Sequence, residues 1–198
     1  MNFDKERLEK QMAFIREIDK EKQIFRQSYV TDGTRKENDA EHAWHMAIMA
    51  YLLQEYSNEE VDILKVIMMC LIHDVVEIDA GDTYAYDEAN IATQKAREDA
   101  AKERIYSLLP DDQKTKMIEL FDEFEANETP EARFAHVMDN LQPLMLNDSN
   151  NGGDWREHQV TSEQIYKRQA RARAGSATLF GVIEDIIQRN IEKGNIRK

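Results

Sequence analysis

Cysteine, proline and glycine are all scarce: one Cys, 3 Pro and 7 Gly in 198 residues. A single thiol excludes an internal disulfide, and Cys70, between Met69 and Leu71, reads as a small apolar core residue suited to a reducing cytoplasm. With few helix breakers, long stretches of chain are free to be helical. Long apolar runs are missing too. The longest, residues 66–72, falls far short of the roughly 20 residues a membrane span needs. The charged N-terminus lacks a signal-peptide pattern, so a cytoplasmic protein without membrane association is expected. Positive charge is also short, with 26 Lys and Arg against 39 Asp and Glu and a net charge of −13. That balance argues against a polynucleotide partner, which needs clustered basic residues to displace counterions. A small anion stays compatible, because a metal ion and one or two arginines create a local positive site in an acidic protein.

What the chain does have is helical periodicity. At 41% apolar residues it can bury one sizeable core, and a single domain spanning residues 1–198 is expected. Leu8, Met12, Ile15 and Ile18 form a first stripe, placing a helix over residues 3–22. Trp44, Ile48 and Leu52 place another over residues 41–56. Ser57 with Glu60 offers a capping box for a third helix that runs to about His73. This third helix is apolar nearly all round and is expected to be the central one. Gly81 interrupts the pattern, and helices follow over residues 88–109 and from Pro110-Asp111 to about Ala126. Thr129-Pro130-Glu131 has an N-cap residue followed by proline at the first helical position, opening a helix through Leu146. Residues 147–154 read as a loop, and helices at about 161–173 and 176–193 close the chain. No alternating strand pattern is visible. An all-α bundle follows.

Three places put ionisable groups in apolar company. His73-Asp74 ends the most apolar segment, Glu41-His42 opens an amphipathic helix, and Asp139 lies among Phe134, Val137, Met138 and Leu141. A charge in such surroundings is costly unless paired or bound to a cation. Convergence of His42, His73, Asp74 and Asp139 would make a site for one divalent ion. Two imidazoles favour Mn, Fe, Co, Ni or Zn over Ca or Mg. His45 and His136, three residues from His42 and Asp139, share a helix face with them and are read as hydrogen-bonding supports or core residues. Pro143, four residues after Asp139, lacks the N–H that would bond the carbonyl of Asp139, which predicts a bend near the site.

The order Glu41-His42, then His73-Asp74, then Asp139 resembles the HD superfamily of phosphohydrolases. The stretches Arg35-Lys36-Glu37-Asn38-Asp39-Ala40-Glu41-His42, His73-Asp74-Val75-Val76-Glu77-Ile78-Asp79-Ala80-Gly81-Asp82 and Asp139-Asn140-Leu141-Gln142-Pro143 are similar to a subgroup related to the 5′-deoxynucleotidases. The core motifs span about residues 35–145. The resemblance implies an HD-type helical bundle and a phosphatase acting on nucleoside 5′-monophosphates. It further implies catalytic roles for Glu77 and Asp82, a substrate-holding role for Arg26, and a homodimer. The residue after Arg26 is Gln27, and no tryptophan precedes Trp44, whereas that branch carries a tryptophan upstream of Glu-His. Arg35 is a second candidate for phosphate, with a surface salt bridge as its alternative. Larger HD phosphodiesterases that bind two ions use extra histidines before the final Asp. Residues 75–135 contain none, so one ion is expected. Hydrolysis of diesters, nucleoside triphosphates or alarmones, and a non-catalytic metal- and nucleotide-binding role, are the alternatives.

Overall fold

A computed structural model describes residues 4–198, apart from the side chains of residues 88, 89 and 91. Residue 3, at the start of the first expected helix, lies outside the described residues. Among the described residues the regular structure is helical apart from one hairpin and an isolated bridge between Thr161 and Arg197. Helix α1 (Lys5–Ile18) leads through a 3₁₀ turn (Asp19–Gln23) into β1 (Phe25–Tyr29) and β2 (Lys36–Asn38). The two strands pair antiparallel, with an irregular register between Phe25 and Tyr29. The all-α class holds, and this small hairpin is an addition that no alternating pattern announced. Strands of five and three residues are too short for a period of two to register in sequence.

Helix α2 (Asp39–Leu53) starts at once from β2 through a capping box. Asn38 accepts from the backbone N–H of Glu41 at 3.0 Å, and the Glu41 carboxylate reaches back to the N–H of Asn38. The next helix, α3 (Ile63–Ile72), is capped by Asp62, which accepts from Leu64 and Lys65. The expected Ser57 cap is not used, and residues 57–62 connect the helices. Nor is α3 central. Val66, Met69 and Cys70 are fully buried, but Leu64 is 72% exposed and Leu71 38%, so α3 presents one apolar face outward.

Short α4 (Glu77–Ala80) ends at Gly81, whose φ of 75° favours glycine. Helices α5 (Glu88–Tyr106) and α6 (Asp111–Ala126) follow. The central element is α7 (Pro130–Ser149), capped by Thr129, with buried residues from Ala132 to Asn147. It continues through Pro143, and Asp139 is helical. Burial of Phe134, Val137, Met138 and Leu141 stabilises it by roughly 1.5–3 kcal/mol each. That anchorage offsets the cost of keeping Asp139 inside. The expected loop at residues 147–154 shrinks to a turn before α8 (Gly153–Glu157). The C-terminal segment forms α9 (Ser162–Gln169), α10 (Ala172–Gly175) and α11 (Ala177–Glu192). At Gly175 a Cβ would lie 2.4 Å from the carbonyl oxygen of Arg133, so glycine there permits the close approach of α10 to α7. No described helix is long and apolar enough to cross a membrane.

Candidate metal centre and its cavity

Each predicted ligand arrives from a different structural device. His42 lies in the first turn of α2, just after the capping box, and is completely buried. His73 is the C-cap of α3, and Asp74 begins the turn beyond it. Asp139 comes from the middle of α7. The Nε2 atoms of both histidines meet the two aspartates. His42 Nε2 is 3.3 Å from Asp139 Oδ1 and 3.9 Å from Asp74 Oδ2; His73 Nε2 is 3.1 Å from Asp74 Oδ2 and 3.9 Å from Asp139 Oδ1.

The imidazoles are fixed from behind. His42 Nδ1 lies 2.8 Å from Gln142 Oε1, and His73 Nδ1 lies 3.0 Å from the carbonyl oxygen of Cys70. Both partners are acceptors, so each ring donates through Nδ1 and turns Nε2 toward the aspartates. Gln142 in turn donates 2.7 Å to Glu37 and lies 3.2 Å from His45 Nδ1, which ties His45 into the support of His42. His136 instead contacts the carbonyl of Phe124 at 2.8 Å and stacks on that ring.

Both Nε2 atoms are buried without a hydrogen-bond partner. Donors each about 2.1 Å from one ion lie roughly 3 to 4 Å apart, and the separations above match that spacing. The donor set of two imidazoles and two carboxylates also suits a divalent transition ion. The residues therefore fit a metal. Electrostatics point the same way. Burial and Arg26 push His42 down to about 4. Burial also opposes charge on His73, but Asp74 and Asp139 outweigh it and hold that ring at about 9. Despite burial, His73 and Arg26 hold Asp74 below the usual carboxylate range, and His42 and Arg168 do the same for Asp139. Without a cation, a proton on His73 supplies the positive charge these aspartates require.

A cavity of about 330 Å³ opens over this group, lined among others by Arg26, Glu77, Asp82, Glu125 and Arg168. Arg26, from β1, donates to Asp74 and sits 3.5 Å from Asp39. Glu77 does not share a helix with His73 as its spacing suggests. The chain tightens after Ile72, with the N–H of Val75 bonded to Ile72 and that of Glu77 to Asp74 at 2.8 Å. Such i to i+3 bonding eclipses side chains three apart. Glu77 therefore falls beside Asp74, and both cluster with Asp39. Burial first, and then the Asp74 charge, raise Glu77 well above the ordinary glutamate value. Burial raises Asp82 as well. Asp39, pushed up to about 8 by burial and Asp74, and Glu37, raised to about 7 chiefly by burial, complete an acidic shell around Arg26.

Arg35 takes its salt-bridge alternative. Its guanidinium clasps Glu41 through two bonds of 2.6 and 2.7 Å and is largely exposed. It is not among the described residues lining the cavity; the Glu41 carboxylate that caps α2 holds it outside. The cavity instead recruits Arg168 of α9, which donates to Asp139 Oδ2 at 3.2 Å. Sequence reasoning missed Arg168, which stands in a charged run that signals only a solvated helix. Gln142 was more accessible, since a glutamine one turn from Asp139 on an apolar helix requires a buried partner.

The protein thus gathers two imidazoles and two aspartates from different elements beneath a polar cavity, an arrangement that could hold a metal ion. The family model for the HD domain matches residues 18–179, and the chain belongs to that family. It is 46% identical to a protein of known crystal structure described as a predicted metal-dependent phosphohydrolase from Magnetospirillum magnetotacticum MS-1; the TM-score is 0.95, with 100% of this chain and 99% of that one covered. It is also 26% identical over 135 residues to human 5′-deoxynucleotidase HDDC2, covering 68% of this chain. Against the mouse protein of that name the identity is 27% over 135 residues, again 68% of this chain. The chain spans 65% and 66% of the length of these two relatives.

Proposed function

We propose that this protein is a metal-dependent phosphohydrolase that releases phosphate from nucleoside 5′-monophosphates, including deoxyribonucleotides. The observation that carries the reading is the convergence of His42, His73, Asp74 and Asp139 beneath the cavity, with both buried Nε2 atoms facing the aspartates and engaged in no hydrogen bond. The similarity to HDDC2 supports the monoester substrate. A single ion of Mn, Co, Fe, Ni or Zn, held by those four residues, would supply Lewis acidity toward a phosphoryl oxygen and lower the pKa of water. Glu77, ionised once a bound cation offsets the Asp74 charge that raises it, would take the proton of the attacking water, and Asp82, at the far side of the Gly81 turn, would protonate the leaving 5′ oxygen. Arg26 and Arg168, which reach the site from the hairpin and from α9, hold the phosphate oxygens from two sides. A cytoplasmic location suits a chain whose one thiol is buried.

The test is phosphate release by Mn- or Co-loaded protein over a panel of 5′-monophosphates, a phosphodiester and a triphosphate. Hydrolysis of the monophosphates is expected, with Arg168→Ala costing about 10- to 100-fold in kcat/KM, the value of a charge-assisted hydrogen bond. Cleavage of the diester or triphosphate alone would move the protein to another HD reaction, and binding without turnover to a non-catalytic role.

A homodimer is part of the same reading. Trp44, Ile48, Tyr51 and Leu52 on α2, with Leu64, Met68 and Leu71 on neighbouring α3, are large apolar residues exposed on the surface. Such faces mark association surfaces, and a second copy is the self-complementary occupant. Light scattering should give twice the chain mass, falling to the chain mass in a Leu64→Glu/Leu71→Glu variant. A parent that runs as a monomer at micromolar concentration excludes the dimer.

A further inference from the structure

A second, more open cleft of about 700 Å³ adjoins the metal cavity and shares Gln27, Tyr84 and Tyr86 with it. Its character is different. The described residues lining it include no Lys or Arg, whereas Arg26 and Arg168 line the cavity next door and attract phosphate there. Its walls are aromatic. The Tyr84 ring stands edge-on to Tyr86 at 5.2 Å between centroids and lies 4.5 Å from the ring of His158. Tyr84 is anchored, because its hydroxyl donates to buried Asp154 at 3.0 Å. At the rim, Gln164 commits its Oε1 to the Thr161 cap of α9, which leaves the amide nitrogen as a donor. Rigid aromatic faces with a few amide groups at the edge bind flat, neutral, hydrogen-bonding rings.

We propose that this cleft is the nucleobase subsite, with Tyr86 and His158 as its stacking residues. The inference rests on the nucleotide reading above and deepens it. The two cavities divide the ligand by charge, phosphate over the histidines and base against the tyrosines, and Gln27 stands where they join. A stacked base contributes about five- to a hundredfold in affinity. Recognition by stacking discriminates weakly among bases, since every base has a π face.

The test compares two non-hydrolysable ligands on metal-loaded protein by calorimetry: deoxyadenosine 5′-methylenephosphonate and base-free 2-deoxyribose 5-methylenephosphonate. The base-bearing ligand is expected to bind about tenfold tighter or more. Tyr86→Ala should reduce that preference to about twofold or less, Tyr86→Phe should keep it, and His158→Ala, at an exposed position that leaves folding intact, should weaken it. Equal affinity of the two ligands in the parent overturns the subsite, as does a preference that survives both alanine variants. A base preference in a protein that releases phosphate from no monophosphate would leave the subsite standing and remove the proposed reaction; phosphate release without base preference would do the reverse.

Discussion

Asp139→Ala protein, reloaded with Mn or Co and desalted, is expected to retain less than about a tenth of the metal held by the parent, since changes at a metal centre typically cost ten- to a hundredfold or more in affinity. Asp139 is the one carboxylate that the central helix delivers, and its Oδ1 reaches both Nε2 atoms. Its removal leaves two imidazoles and Asp74, whose Oδ2 is shared with Arg26. Unfolding is not the cause to expect, because the variant loses a buried charge on a helix anchored by Phe134, Met138 and Leu141; circular dichroism on the same sample checks this. The parent also has a pH signature. His73 is held at about 9 without metal, so below that value an ion must displace a proton. Apparent affinity should then rise about tenfold per pH unit between pH 6 and 8, measured by competition with a chelating dye. An affinity flat with pH would remove His73 from the ligand set. Near-full occupancy of Asp139→Ala would remove Asp139.

The second large effect separates binding from chemistry at Glu77. Glu77→Gln keeps the size of the side chain and replaces a carboxyl that burial and Asp74 already hold above its ordinary pKa. The substitution removes a titration from the crowded cluster with Asp39 and Asp74, so thermal stability should hold or rise slightly. Turnover should fall by about 10² to 10⁴, the usual contribution of a general acid or base. KM should change little, which marks an interaction made mainly in the transition state. If Glu77 only braces the turn before Gly81, the variant will instead lose metal or melt earlier, and excess metal will restore much of the rate. Metal content, KM and kcat on one preparation decide between these outcomes. Full activity in a metal-replete Gln variant would transfer the proton role to Asp82.

Much of the helix map was legible because its signals are local. Thr129-Pro130 started the central helix and Gly81 interrupted the helical pattern as expected, since caps and positive φ act over a few residues. Ser57 misled because Asp62 lies nearer to the apolar stripe of α3 and takes the same role. Its apolar residues likewise misled about burial, since an outward apolar face has the same composition as an inward one. Only packing shows that Leu64 and Leu71 remain exposed.

For the site, sequence by itself singled out which residues carry a charge or an imidazole into apolar surroundings: His42, His73, Asp74 and Asp139. Burial of such groups is penalised strongly enough that their pattern alone points to a common partner. Tertiary structure decided how they are used. It turned both Nε2 atoms inward through Gln142 and the Cys70 carbonyl, placed Glu77 beside Asp74 through a 3₁₀ turn, and held Arg35 on Glu41 while α9 brought Arg168 over Asp139. The reason is range. A helical period or a cap is set by neighbours in the chain, whereas an arginine's choice between two carboxylates depends on which helices pack together, and nothing within a few residues of Arg35 or Arg168 encodes that.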